Sequence, residues 1–256
     1  MFDLTGKVAV VTGGSEGIGA ATVHRFAKAG AVVISADLKS ASASSGQGIF
    51  HKTVDVSDEE AVAQLIKGVV GDHGRIDIMV NNAGIAGATD FIEQCNPDDV
   101  RKTMSVNTFG VLHGVKHAAL AMSSGGSIIN VASMAAISGA PGYTAYALSK
   151  WPVIGLTQIA AIELGARQIR VNAVCPGVVN TAMTNNSPMA EFEKRIITAT
   201  TPLERVCEPE EIAAAIHFLA SDDCGYITGQ ALHICGGSSA GLALGIPQVI
   251  AAAMQG

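Results

Sequence analysis

Residues 8–19 read Val-Ala-Val-Val-Thr-Gly-Gly-Ser-Glu-Gly-Ile-Gly, and they decide the fold. The run from Val8 to Thr12 is apolar and β-branched with no polar alternation, the pattern of a short strand buried on both faces. Residues 17–29 then place apolar side chains at helical spacing. The segment is a strand, a tight turn and a helix. Gly13, Gly17 and Gly19 free the backbone for that turn and let a ligand approach the free N–H groups at the helix N-terminus. Alone, G-x-x-x-G-x-G is a weak signal that any glycine-rich turn can produce. Between a strand and a helix it reads as a pyrophosphate cradle. Ser15, Glu16 and Ile18 lie in the same loop and are assigned to the cofactor with the glycines.

The alternation continues along the chain. Further strands are expected at 31–36, 48–54, 76–81, 127–132, 169–174 and 230–234. Helices are expected at 59–71, at 97–122 as one long element, at 145–164 and at 209–220. An irregular stretch follows Pro176 up to Pro202, with a short helix at 189–197. Such alternation implies an α/β fold: a parallel sheet covered on both faces, with ligands beyond the carboxyl ends of its strands. With no repeat and no linker, residues 1–256 read as a single domain.

Bulk properties agree. Nearly half the residues are apolar and 15% are charged, enough for a large core. The net charge of −6, with no Lys/Arg cluster, argues against nucleic acid. No apolar run of membrane-spanning length occurs. The opening residues do not resemble a signal peptide. Cys95, Cys175, Cys207, Cys224 and Cys235 are odd in number and scattered, which favours reduced thiols and a cytoplasmic location.

The chemistry-bearing residues fall at strand ends. Asp37, followed by Leu38, ends the second strand twenty residues after Gly17, where a carboxylate can accept both adenosine ribose hydroxyls and repel a 2′-phosphate. Glu16 adds negative charge, and Lys39 is the one nearby cation that softens it. NAD is therefore the expected cofactor. Asp55, followed by Val56, either bonds an adenine amino group or caps the next helix. Asn82, Ala83 and Gly84 end the fourth strand, leaving space for a flat ring, with Asn81 beside them as a structural residue. Ser133 ends the fifth.

Thirteen residues after Ser133 comes Tyr146-Ala-Leu-Ser-Lys150. Positions i and i+4 share a helix face, so an ammonium there lowers the phenol pKa and suits the tyrosine to exchange a proton with an alcohol near neutral pH. Most Tyr-x-x-x-Lys pairs are mere surface neighbours; the convergence with the glycine loop gives this one weight.

Together these residues resemble the short-chain dehydrogenase/reductase family in its single-domain form. The resemblance runs from Gly6 to about Gly237 and includes Asn107 in Ser-Val-Asn-Thr and Val171-Asn172-x-Val-x-Pro176-Gly177. It implies a Rossmann-like, doubly wound parallel sheet of six to seven strands and commonly a homotetramer whose long helices pair. It implies Tyr146 as general acid/base, Lys150 as its electrostatic partner and ribose ligand, and Ser133 as the group positioning the carbonyl. It further implies Asn107 in a water-linked proton relay, and contacts to the nicotinamide side from Pro176, Gly177, Val179 and Thr181. The cofactor carries the hydride; the protein orients it.

Three departures stand out. Pro152 lies inside the catalytic helix, where a kink is expected. Cys235 replaces the usual Asp of the last strand and is read as a buried structural thiol. The helix usually found after Asp37 is expected to be truncated in the Ser/Ala/Gly-rich stretch 40–48. His113 and His117 share a helix face but lack a third ligand, so a surface or interface role is favoured and no metal site is assigned. The apolar tail 238–256 is expected at an interface or near the site.

Ile85, Met134, Ala135, Ala136, Ile137, Met183 and Met189 are the expected walls of the substrate pocket, with Tyr143 at its edge and 181–205 as a lid. They point to a secondary alcohol or ketone on a cyclic, steroidal or aryl frame. Asn185, Asn186 and Ser187 keep sugars or polyols as an alternative. A non-catalytic NAD-binding redox sensor is the reading from another class; an NAD-retaining epimerase or dehydratase is a third.

Overall fold

The computed structural model describes residues 2–39, 48–123, 125–186 and 190–241. The 40–48 stretch (apart from Gly48), Ser187, Met189 and the tail beyond Gly241 lie outside them, so the expectations placed there stay as stated. The strands are β1 (Val8–Thr12), β2 (Val32–Asp37), β3 (Ile49–Thr53), β4 (Ile78–Asn81), β5 (Gly126–Val131), β6 (Ile169–Pro176) and β7 (Ala231–Ile234). They form one seven-stranded sheet, β3-β2-β1-β4-β5-β6-β7, with parallel pairing throughout. The chain runs outward from β1 to β3, then crosses back to β4. That reversal opens a crevice at the carboxyl ends of β1 and β4.

The helices are α1 (Gly17–Lys28), α2 (Glu59–His73), α3 (Pro97–Met104), α4 (Gly110–Ala121), α5 (Thr144–Leu164), α6 (Ala182–Asn185), α7 (Ala190–Thr200) and α8 (Pro209–Ala220). On one face Val8 and Val10 join Met79, Ile128 and Val171 beneath α2, α4 and α5. On the other, Ala9 and Val11 join Val33, Ile129 and Val174 beneath α1 and α8. Alternate residues of β1 thus enter opposite cores, which is why its sequence is apolar without alternation. Among the described residues no helix is long and apolar enough to cross a membrane.

The long helix expected at 97–122 is present, continuous from Pro97 to Ala121, and the structure adds a π-helical turn inside it, Ser105–Phe109, which separates α3 from α4 and widens the coil at Asn107. One expectation needs correcting. The stretch after Pro176 is more regular than expected, since it holds α6 as well as α7, and α7 runs on to Thr200. The segments Met134–Ala136, Gly165–Arg167 and Asp222–Cys224 are short 3₁₀ turns.

Candidate active site

The glycine loop is tied to β4 by side chains. The Thr12 hydroxyl accepts the N–H groups of Asn82 (3.0 Å) and Ala83 (3.1 Å), and Asn82 Nδ2 donates to the carbonyls of Thr12 (2.9 Å) and Gly13 (3.0 Å). Asn82 therefore holds the loop from within. A Cβ on Gly19 would overlap the Gly13 carbonyl and stand 2.6 Å from Asn82 Nδ2. Gly17, at φ +57°, faces Thr181 across the cleft. No side chain caps α1 and no acidic residue occupies its first turn, in contrast to α2, where Asp58 accepts from the N–H groups of Glu60 and Ala61. The uncapped N-terminus of α1 leaves its N–H groups for an anionic ligand.

At the end of β2, Asp37 Oδ2 accepts from Ser15 N and Oδ1 from Lys39 N, both at 3.1 Å. Lys39 Nζ lies 3.0 Å from Glu16 Oε1, and that hydrogen bond raises the lysine pKa. Asp55 does not cap α2: it accepts from the N–H (2.9 Å) and hydroxyl (2.7 Å) of Ser57, while Asp58 supplies the cap. His113 is buried with Nδ1 2.9 Å from the Val56 carbonyl, so it is a core residue and not a surface one; His117 meets Glu59 at 3.2 Å.

Ser133 follows β5 and opens a 3₁₀ turn, its hydroxyl accepting from Ala135 N at 3.1 Å. Ser133 and Tyr146 both face the cleft, and Ser133 is the polar group that acts on the Tyr146 hydroxyl. Tyr146 keeps part of its surface open to the cleft, yet burial pushes its phenol pKa up, and Ser133 only partly offsets that. The expected lowering by Lys150 is therefore not met. The Lys150 ammonium lies 5.8 Å from the Tyr146 ring centroid and donates to the Val131 carbonyl at 2.8 Å. Burial pulls Lys150 down to about 8.

Asn107 is fully buried in the π turn. Its Oδ1 accepts from Ile85 N (2.8 Å), and its Nδ2 donates to the Ile85 carbonyl (2.9 Å) and to Ser149 Oγ (2.9 Å). α5 continues as helix past the exposed Pro152 to Leu164. Nearby, Thr108 Oγ1 donates to the Ser149 carbonyl at 2.7 Å.

These residues border one open cleft of about 1680 Å³. Gly13, Glu16, Gly17, Ile18, Asp37, Leu38, Asp55, Val56, Asn82, Ala83 and Gly84 line one half; Pro176, Gly177, Val179, Thr181, Ser133, Tyr146 and Lys150 continue the wall. Ser15, Gly19 and Asn107 stand behind it. In the apolar half, Ile85, Met134, Ala135, Ile137, Tyr143 and Met183 line the space, whereas Ala136 is buried behind them. Sequence reading missed Phe91, Ile196, Ile197 and Leu203, which carry no local signal and reach the cleft only through the fold. It also missed the setting of Cys235, which lines the cleft. Burial pushes that thiol up, but hydrogen bonds from Ser239, Ser238 and Gly237 outweigh it and hold it at about 7. Cys175, fully buried, is pushed up to about 11.

The set fits a nicotinamide dinucleotide: a backbone cradle, a carboxylate clasp at the end of β2, and a Ser/Tyr/Lys group at the far end. A Cβ on Gly84 would stand 3.1 Å from Asn107 Oδ1 and 3.5 Å from Lys150 Nζ, so a side chain there would press on Asn107. Comparison with known proteins agrees. Residues 13–239 match the family model described as enoyl-(acyl carrier protein) reductase. The chain is 40% identical over 244 residues to 3-oxoacyl-(acyl-carrier-protein) reductase of Thermotoga maritima, covering 91% of this chain and 98% of that protein. It is 39% identical over 245 residues to 3alpha-hydroxysteroid dehydrogenase of Mediterraneibacter gnavus, covering 91% and 97%. The solved structure of levodione reductase superposes with a TM-score of 0.88 at 33% identity, covering 93% of this chain and 99% of that one.

Proposed function

The chain belongs to the short-chain dehydrogenase/reductase family, an oxidoreductase acting on CH–OH donors with a nicotinamide cofactor, and from that premise we propose that it interconverts a hydrophobic secondary alcohol and its ketone using NAD(H). The observation that carries the reading is the convergence of Ser133, Tyr146 and buried Lys150 on one wall of the cleft, at the meeting point of its two halves.

When bound, the nicotinamide gives or takes the hydride. The chain's own residues handle the rest. Ser133 and Tyr146 hold the substrate oxygen between their hydroxyls. In reduction Tyr146 donates its proton to that oxygen; in oxidation it takes the proton back. Lys150, 5.8 Å from the Tyr146 ring, supplies positive charge beside the tyrosinate once the proton has moved, whereas burial sets the direction of the resting phenol. Asn107 acts as a positioning residue, since its amide is engaged by Ile85 and Ser149 and it joins the Ile85 segment to α5.

NAD is favoured over NADP by Asp37 and Glu16. An apolar, cyclic, steroidal or aryl substrate is favoured by Ile85, Met134, Ile137 and Met183. The relative acting on a carrier-borne acyl group raises another substrate class. Against it, two cations bordering the cleft, Lys39 and Arg205, are already paired with Glu16 and Glu211. Asn186 also borders the cleft and keeps polyols as a second reading. Residues 181–205 would serve as the lid. The exposed Leu120 on α4 and Trp151, Ile159 and Ile162 on α5 support a homotetramer. An NAD-linked screen over cyclic alcohols, steroids, aryl carbinols, polyols and 3-oxoacyl thioesters tests the substrate assignment. Turnover confined to the thioesters, or a higher kcat/KM with NADP than with NAD, contradicts it.

A further inference from the structure

The clasp at the end of β2 contains two carboxylates and one ammonium, and their pairing is uneven. Asp37 is held by two backbone N–H groups, from Ser15 and Lys39, which fix its carboxylate between the glycine loop and the strand end. Among the described residues Glu16 has no such backbone partner, and its side chain does not cap α1. Instead its carboxylate takes the Lys39 ammonium at 3.0 Å. Ser15 Oγ donates to the Lys39 carbonyl at 3.4 Å and closes the same clasp. Glu16, Asp37 and Lys39 all border the cleft.

We propose that Glu16 is a selectivity lock: by engaging Lys39 it withholds the one cation of the clasp from a 2′-phosphorylated adenosine. The inference rests on the NAD reading above and adds the residue that enforces it. Asp37 alone rejects a 2′-phosphate by like charge, but Lys39, two residues away, is placed to offset that rejection. Glu16 cancels the offset and adds a second repulsive charge. Both partners are more than half exposed, with side-chain exposures of 73% and 55%. The lock is therefore a tuning device, worth at most about fivefold in an equilibrium. Asp37 remains the main barrier.

Calorimetric titration of the wild type, Glu16→Gln and Glu16→Gln/Lys39→Met with ADP and with 2′,5′-ADP tests this without any turnover. Glu16→Gln is expected to tighten 2′,5′-ADP by about fivefold, with a smaller change for ADP. Adding Lys39→Met is expected to remove most of the gain, leaving the smaller part that comes from the lost Glu16 charge itself. No tightening in Glu16→Gln, or the same tightening with Met at position 39, overturns the lock. Tighter wild-type binding of 2′,5′-ADP than of ADP is a separate result: it contradicts the NAD reading, while the two variants still decide the lock.

Discussion

The two halves of the cleft are built from different materials. The half beneath β1, β2 and β4 consists of backbone and short polar side chains: Thr12 and Asn82 together make four hydrogen bonds across the loop. The other half consists of long apolar side chains on turns and on α6 and α7. Met183, Ile196 and Leu203 border it at 46, 43 and 62% exposure. The contrast separates two kinds of specification. The first half demands particular residue types at particular positions, because a backbone must come close to a ligand. The second demands only apolar volume, so many sequences satisfy it.

The comparison breaks most readily at Gly19. Gly19→Ala drives a methyl into the Gly13 carbonyl. We expect at least about 100-fold weaker NAD binding and a stability loss of about 3 kcal/mol, measured by titration and denaturant unfolding. Normal binding by this variant would mean that the loop is not held by backbone contact.

Lys150→Met sharpens the comparison where the halves meet. Burial holds the Lys150 pKa at about 8 against its ordinary value of 10.5. Between those values the unfolded chain binds more protons than the folded one, so wild-type stability rises with pH there. Below pH 8 the full cost of burying the ammonium is present. The variant should then be more stable by about 2 kcal/mol at pH 7, after allowing for the lost bond to Val131. That advantage should fade toward pH 10.5 while turnover is lost. Equal stability of the two proteins across this range would contradict the buried-charge assignment.

Thr12→Val leaves the Asn82 and Ala83 N–H groups without their acceptor. A loss of about 2 kcal/mol is expected, with weakened cofactor binding. The smallest effect belongs to the apolar half. Met183→Ala should raise KM for an apolar alcohol by about fivefold and leave NAD affinity unchanged. A change in NAD affinity instead would show that the halves are not separable at this residue.

Legibility in the sequence follows the same division. The β1 run and Gly13, Gly17 and Gly19 were readable because double burial and close approach restrict residue choice. Tyr146 and Lys150 were readable from spacing only in the company of the glycine loop. The π turn at Asn107 was not, because no proline or glycine punctuates Ser105–Phe109. The cap of α2 was missed since Asp55 and Asp58 both precede the helix, and only hydrogen-bond geometry separates them. The direction of the Tyr146 shift was misjudged because burial, which no local pattern encodes, outweighs its polar neighbour. Ile196 and Leu203 reach the cleft through tertiary packing alone.

The central claim is that Tyr146 moves the proton in a cofactor-loaded cleft. Tyr146→Phe, assayed for NAD binding and for alcohol turnover on one preparation, tests it most directly. The expected result is NAD affinity within about twofold of wild type and turnover reduced by about 10²–10⁴. Turnover close to wild type with NAD still bound would contradict the account.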